Sequence, residues 1–109
     1  MRALIAAAFL AATVPAPASA ADAPPVSVHI RDDKFVPAKL TVAKGQTVTF
    51  VNDDDDAHTV TADDGSWDSE GLNQGQSWKH AFAAAGTVTY HCTVHPFMKA
   101  TIVVKGAPK

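Results

Sequence analysis

Apolar and polar residues alternate along this chain with a period of two over short stretches, and no long segment holds the 3.6-residue apolar period of an amphipathic helix. In Thr47-Val48-Thr49-Phe50-Val51-Asn52 the side chains of Val48 and Phe50 share one face. In Thr87-Val88-Thr89-Tyr90-His91-Cys92 the side chains of Val88, Tyr90 and Cys92 point one way, and those of Thr87, Thr89 and His91 the other. Such β-branched runs, separated by turn residues, predict strands at Val26–Arg31, Lys39–Val42, Thr47–Asn52, His58–Thr61, Ser77–Ala83, Thr87–Cys92 and Thr101–Lys105. Ala84-Ala85-Gly86 reads as the turn before the strand that ends at Cys92, with Gly86 free to take a positive φ. Six or seven short strands in one chain of this length predict a single all-β domain, an antiparallel sandwich or barrel.

The first twenty residues break the pattern. MRALIAAAFLAATVPAPASA has one basic residue at Arg2, an apolar run from Ala3 to Val14, and small residues ending in Ala18-Ser19-Ala20. That is the shape of a secretory signal peptide cleaved after Ala20, which predicts an exported, periplasmic protein. The apolar run is too short for a transmembrane helix, so no membrane span is expected after cleavage. Residues 21–25 form a short Pro-rich lead-in, residues 26–105 the folded domain and residues 106–109 a tail.

Composition narrows the choices. A small exported domain has a modest core and usually gains cross-links from disulfides. The chain has one cysteine, so an intramolecular disulfide is impossible, and a metal is the other common staple. A net charge of −2 with no basic stripe argues against nucleic acid as a partner. The one charge block, Asp53 to Asp56, reads as a solvated loop tip, because it lacks the interleaved spacing and downstream glutamate of a calcium loop.

The lone thiol lies in YHCTVHPFM, where Cys92, His95 and Met98 stand at C-x2-H-x2-M on the loop leaving a strand. A loop this tight folds back on itself and brings soft or borderline donors together. Thiolate and thioether sulfur favour copper(I), imidazole suits copper in either oxidation state, and two histidines, a cysteine and a weak axial methionine are the ligand set of blue-copper sites. The second histidine is best supplied by His58, which opens a predicted strand directly after the Asp loop. His29 lies mid-strand far upstream, and His91 faces away from Cys92. His80 alternates with Trp78 and Phe82 and is expected to be a partly buried core histidine.

The run YHCTVHPFM, with NDDDDAHTV about forty residues earlier and AAAGTVTYHC between them, resembles the small cupredoxins, specifically the group of amicyanin-like and plastocyanin-like proteins with a short ligand loop. The similarity covers Val26 to Lys105 and is most specific at the ligand loop. It implies a Greek-key antiparallel β-sandwich holding one copper ion through His58, Cys92, His95 and Met98. It also implies a monomeric one-electron carrier, not an enzyme, cycling between copper(I) and copper(II), with redox partner proteins docking near His95, Pro96 and Phe97. Two positions depart from the pattern: Val94 stands where amicyanins usually have proline, and Thr59 follows the first histidine where many have asparagine. That asparagine braces one ligand loop against the other, a task the Thr59 hydroxyl is able to take over at shorter reach.

Other chemistries use similar residues. A periplasmic copper chaperone or reservoir would have a more open, methionine-rich site, whereas Met98 is the one methionine besides Met1. A thiol enzyme built on Cys92 and His95 lacks a recognisable orienting carboxylate, and a c-type haem needs a second cysteine. Zinc accepts His58, Cys92 and His95, and Met98 favours copper over it.

Overall fold

The computed structural model describes residues 26–106 of the chain, so the signal peptide and lead-in expected over residues 1–25, and residues 107–109 of the tail, lie outside the described residues. Eight strands follow one another: β1 (Val26–Arg31), β2 (Lys34–Val36), β3 (Lys39–Ala43), β4 (Thr47–Asn52), β5 (Thr61–Ala62), β6 (Ser77–Ala81), β7 (Gly86–His91) and β8 (Lys99–Lys105). They form two four-stranded sheets, ordered β2-β1-β4-β6 and β3-β8-β7-β5, and the described residues contain no helix.

Each strand forms where alternation puts apolar side chains on one face. Along β4 the residues Val48, Phe50 and Asn52 are fully buried, and along β7 Tyr90 is, with Cys92 just past its end. These side chains meet Val28 and Ile30 of β1 and Ile102 of β8 in the space between the sheets. The Phe50 and Tyr90 rings cross that space edge to face, centroids 5.6 Å apart at 80°. Fully burying a valine, isoleucine or phenylalanine contributes about 1.5–3 kcal/mol each, so this layer is the main stabilising element of a small domain.

The sandwich is as the sequence predicts, and its pairing is mixed. β1 pairs with β4 in parallel, and so does β3 with β8, while the remaining ladders are antiparallel. Those two parallel ladders are a detail that the expectation of an antiparallel sandwich did not include. Between β1 and β4 the chain crosses to the opposite sheet as β3, and it re-enters the first sheet running in the same direction as β1.

Strand ends shift for local reasons. β2, three residues long, has no predicted counterpart. The strand expected at His58–Thr61 is regular at Thr61–Ala62 alone, because His58 instead pairs with the loop at Leu72 through reciprocal backbone bonds of 3.0 and 2.7 Å. β6 stops at Ala81, two residues short of the expected Ala83, and the Phe82 amide bonds back to Gln46 O. Gly86 has φ 143°, as its turn requires, and opens β7. β7 then carries the chain to Cys92 at the end of the sandwich where the Asp53–Asp56 loop and His58 also lie.

Candidate metal centre

Cys92 leaves β7 fully buried, and the loop after it closes on itself. The Cys92 amide donates to Met98 O at 3.2 Å, and the Met98 amide donates to His95 O at 2.8 Å. Those two bonds fix a tight loop with Cys92 and Met98 at its base and His95 at its crown. Met98 is 2 % exposed and belongs to the core cluster.

His58 enters from the other side. Its pairing to Leu72 seats the ring in the interior at 0 % exposure, with Nδ1 3.7 Å from Cys92 Sγ. His95 Nδ1 lies 4.0 Å from the same sulfur, and the two imidazole centroids are 4.9 Å apart. One donor atom from each of His58, Cys92 and His95 lies within 4.8 Å of the others. Bonds to one ion of about 2.3 Å from sulfur and about 2.0 Å from nitrogen, spread by about 110–120°, place each nitrogen about 3.5–3.7 Å from the sulfur. The observed separations fit that requirement to within a few tenths of an ångström. The donor set, a thiolate sulfur with two imidazoles, is borderline to soft and suits copper or zinc.

The surroundings hold these side chains in place. The Thr59 amide donates to Cys92 Sγ at 3.3 Å and fixes the sulfur from the His58 side. The Thr59 hydroxyl accepts the Thr93 amide at 2.8 Å and lies 2.9 Å and 3.1 Å from the hydroxyls of Thr61 and Thr93. Threonine therefore bonds the two loops to each other from the position where asparagine was noted as usual. On the outer side of His58, Nε2 lies 2.8 Å from Asp54 Oδ2 and 3.5 Å from Asp33 Oδ1.

That contact corrects the reading of Asp53–Asp56 as a solvated tip. Asp53, Asp55 and Asp56 are exposed, but the Asp54 side chain is 16 % exposed and faces the site. Burial opposes its ionisation, yet the amides of Asp33 and Asp32 and the His58 ring outweigh burial and hold the carboxyl below its usual 3.8. The sequence signal was the spacing of four between Asp54 and His58, which no pattern distinguishes from ordinary loop acidity.

The remaining histidines stand apart, as expected. His29 bonds to Asp53 at 2.7 Å, and His91 points away from Cys92 to Asp63 at 2.6 Å. His80 is half-buried among Trp67, Trp78 and Phe82, stacked on Trp78 at 5.1 Å and 14°, and burial pushes its pKa below 6.5. On one side of His95 the rim is apolar and open, with Phe97 70 % and Val94 57 % exposed, and on another the carboxylates of Asp33 and Asp56 come within 4.8 Å of a ring nitrogen.

The sequence profile of the Cupredoxin-like domain family matches residues 3–104. The chain belongs to the cupredoxin family. Within it, this cupredoxin is of the amicyanin type. It is 38 % identical over 108 residues to amicyanin-alpha of Methylorubrum extorquens, covering 94 % of this chain and 87 % of that protein. The crystal structure of amicyanin from Paracoccus versutus superposes with a TM-score of 0.68 at 31 % identity, covering 83 % of this chain and 92 % of that one. A copper-containing nitrite reductase from Thermus scotoductus gives a TM-score of 0.72 at 28 % identity over 79 % of this chain, but the cupredoxin spans only 23 % of that enzyme's length.

Proposed function

We propose that this cupredoxin binds one copper ion through His58 Nδ1, Cys92 Sγ, His95 Nδ1 and the Met98 thioether, and carries single electrons between partner proteins in the periplasm after export. The observation that carries the reading is the convergence of the two histidine nitrogens on the buried Cys92 sulfur, in a fold of the amicyanin type. Copper supplies the one-electron Cu(I)/Cu(II) couple. The chain's own residues do the rest.

An isolated charge buried in a dry interior costs on the order of tens of kcal/mol by Born solvation, so neither a bare ion nor a bare thiolate would stay there. Ionised Cys92 cancels one unit of the ion's charge, and the Thr59 amide shares the sulfur's remaining negative charge. His58 and His95 are presented from two loops bonded to each other through Thr59 and Thr93, so the donor positions need little change between oxidation states. Electron carriage favours such a stiff site, because rearrangement would slow transfer.

His95 sits at the crown of its loop with Phe97 beside it, ring centroids 5.9 Å apart. Pro96, Phe97 and Val94 give it an exposed apolar collar. That collar suits the small, transient interfaces of redox encounters, below about 1,200 Å² in total. The protein acts there as a monomeric carrier with no substrate of its own. Asp53, Asp55 and Asp56 on the neighbouring loop would steer a basic partner toward the collar.

The test is a visible and EPR spectrum of the protein after copper(II) addition, followed by one-electron reduction and reoxidation. An intense blue thiolate-to-copper band that bleaches and returns is the expected result. A colourless protein that binds copper(I) or zinc tightly would replace the carrier with a copper-handling role.

A further inference from the structure

We infer that Asp54 is a positioning residue of the metal centre, holding the buried His58 ring through Nε2 and biasing bound copper toward its oxidised state. The inference rests on the copper reading above.

The geometry begins at His58. Its Nδ1 faces Cys92 Sγ at 3.7 Å, and its other nitrogen faces Asp54 Oδ2 at 2.8 Å. A nitrogen that ligates a metal has given up its proton, so the neutral ring carries its proton on Nε2 and donates it to the carboxylate. With His58 at 0 % exposure, no water competes for that proton.

Asp54 is itself held at three points. Its amide donates to Asn52 Oδ1 at 2.9 Å, Oδ1 accepts the Asp32 amide at 2.8 Å, and Oδ2 accepts the Asp33 amide at 3.1 Å. Asn52 is fully buried and anchors the loop base by donating from Nδ2 to Asp56 O and Leu72 O, both at 2.8 Å. The Leu72 carbonyl also accepts the His58 amide, so ring and carboxylate share one support.

The hairpin turn supplies an independent sign of how this carboxylate is held. Asp32 and Asp33 form the two-residue link between β1 and β2, with φ 51° and 56°. Left-handed conformations at both positions suit Asn-Gly or Gly-Gly, and each non-glycine residue there costs about 1 kcal/mol or more. Here the conformation points two successive amides at Asp54, forming a small anion-binding nest. A solvated loop-tip carboxylate would need none of this.

A carboxylate accepting the outer proton of a ligating histidine fixes the tautomer, aims the ring and raises its basicity, and losing such a partner typically costs about 10–100-fold in metal affinity. A more basic ring and a nearby negative charge both favour the more highly charged ion. Asp54 therefore lowers the reduction potential relative to a neutral acceptor in the same place.

The experiment compares wild type, Asp54→Asn and Asp54→Ala in the copper-loaded protein, reading the blue band, the EPR spectrum and the potential. Asparagine still offers an oxygen to Nε2–H, so Asp54→Asn is expected to keep the blue band while its potential rises. Each tenfold loss in the copper(II)-to-copper(I) affinity ratio moves a one-electron potential by about 59 mV. Asp54→Ala leaves the His58 proton with only the Asp33 carboxylate, 3.5 Å away, as an acceptor and is expected to lose copper affinity as well. An Asp54→Asn potential equal to wild type, with wild type blue, overturns the inference and leaves the copper reading standing. A wild type without a blue band overturns both. Should the variants fail to fold, nitrogen-15 NMR of the wild-type copper(I) form still decides: a slowly exchanging proton on His58 Nε2 is expected, and an unprotonated or freely exchanging Nε2 refutes it.

Discussion

The Thr59 hydroxyl accepts the Thr93 amide at 2.8 Å, and that bond ties the segment bearing His58 to the loop that leaves Cys92. Thr59 is 8 % exposed, so water cannot replace the acceptor readily. Thr59→Val keeps the shape and deletes the acceptor, leaving the Thr93 amide without it. The expected cost is about 1–3 kcal/mol, read by urea unfolding of the metal-free protein. Loss of the brace should also broaden the copper EPR spectrum, whereas Thr59→Ser should preserve both. Equal stability of Thr59→Val and wild type would show that the brace contributes nothing.

The same bond shows where sequence reading succeeds and where it stops. That the Thr59 hydroxyl is able to brace the loops was legible from the asparagine it replaces, but its partner Thr93 was not. The convergence of Cys92 and His95 was legible too: they lie close along the chain, and strand alternation already turned Cys92 inward with Tyr90. Asp54 was not, since its burial depends on the Asp32–Asp33 turn, which lies some twenty residues away and is met only through the β1–β2 hairpin. The parallel ladders escaped for a related reason. Alternation assigns faces to a strand but says nothing about which strand lies beside it.

On the proposed ligation, Cys92 makes the metal a stability element as well as a redox one. A ligand that binds only the folded state stabilises it by about 2.7 kcal/mol at a free concentration one hundred times its Kd. Copper addition should therefore raise the melting temperature of wild type, and a chelator should reverse the rise. Cys92→Ser should melt at one temperature with or without copper and show no blue band. A copper-dependent rise of wild-type size in Cys92→Ser would remove the thiol from the site.

Tyr90 lies at 0 % exposure, and its hydroxyl has no hydrogen-bond partner among the described residues. Burial accordingly pushes its pKa far above 10. An unsatisfied buried hydroxyl carries a desolvation penalty of about 1–3 kcal/mol. Tyr90→Phe removes the hydroxyl and keeps the edge-to-face contacts with Phe35 and Phe50. The variant should be as stable as wild type or about 1 kcal/mol more so by urea unfolding. A loss of more than about 1 kcal/mol would mean that the hydroxyl makes a favourable bond, such as one to an ordered water.

His80 should give the domain a second, milder pH dependence, distinct from acid unfolding. Its neighbours Trp67, Trp78 and Phe82 are uncharged, and burial holds its pKa below the ordinary 6.5. The unfolded chain therefore takes up a proton at this residue near pH 6.5, while the folded chain resists until a lower pH. The neutral-imidazole contribution is complete above that value and declines as pH falls from it toward the folded pKa. Carboxylates act in a lower window. Asp53 is held below 3.8 by Arg31 and His29, and Asp63 by Thr89 and His91, so what they contribute is present above 3.8 and is lost as pH falls through their lower folded values. His80→Phe keeps an aromatic ring in the stack and removes the titration. Melting temperatures of the metal-free variant and wild type, measured from pH 8 to pH 4, should converge on a constant difference above about pH 7 and drift in the variant's favour below it. A difference that stays constant across the whole range would place His80 in a site that does not penalise its charge.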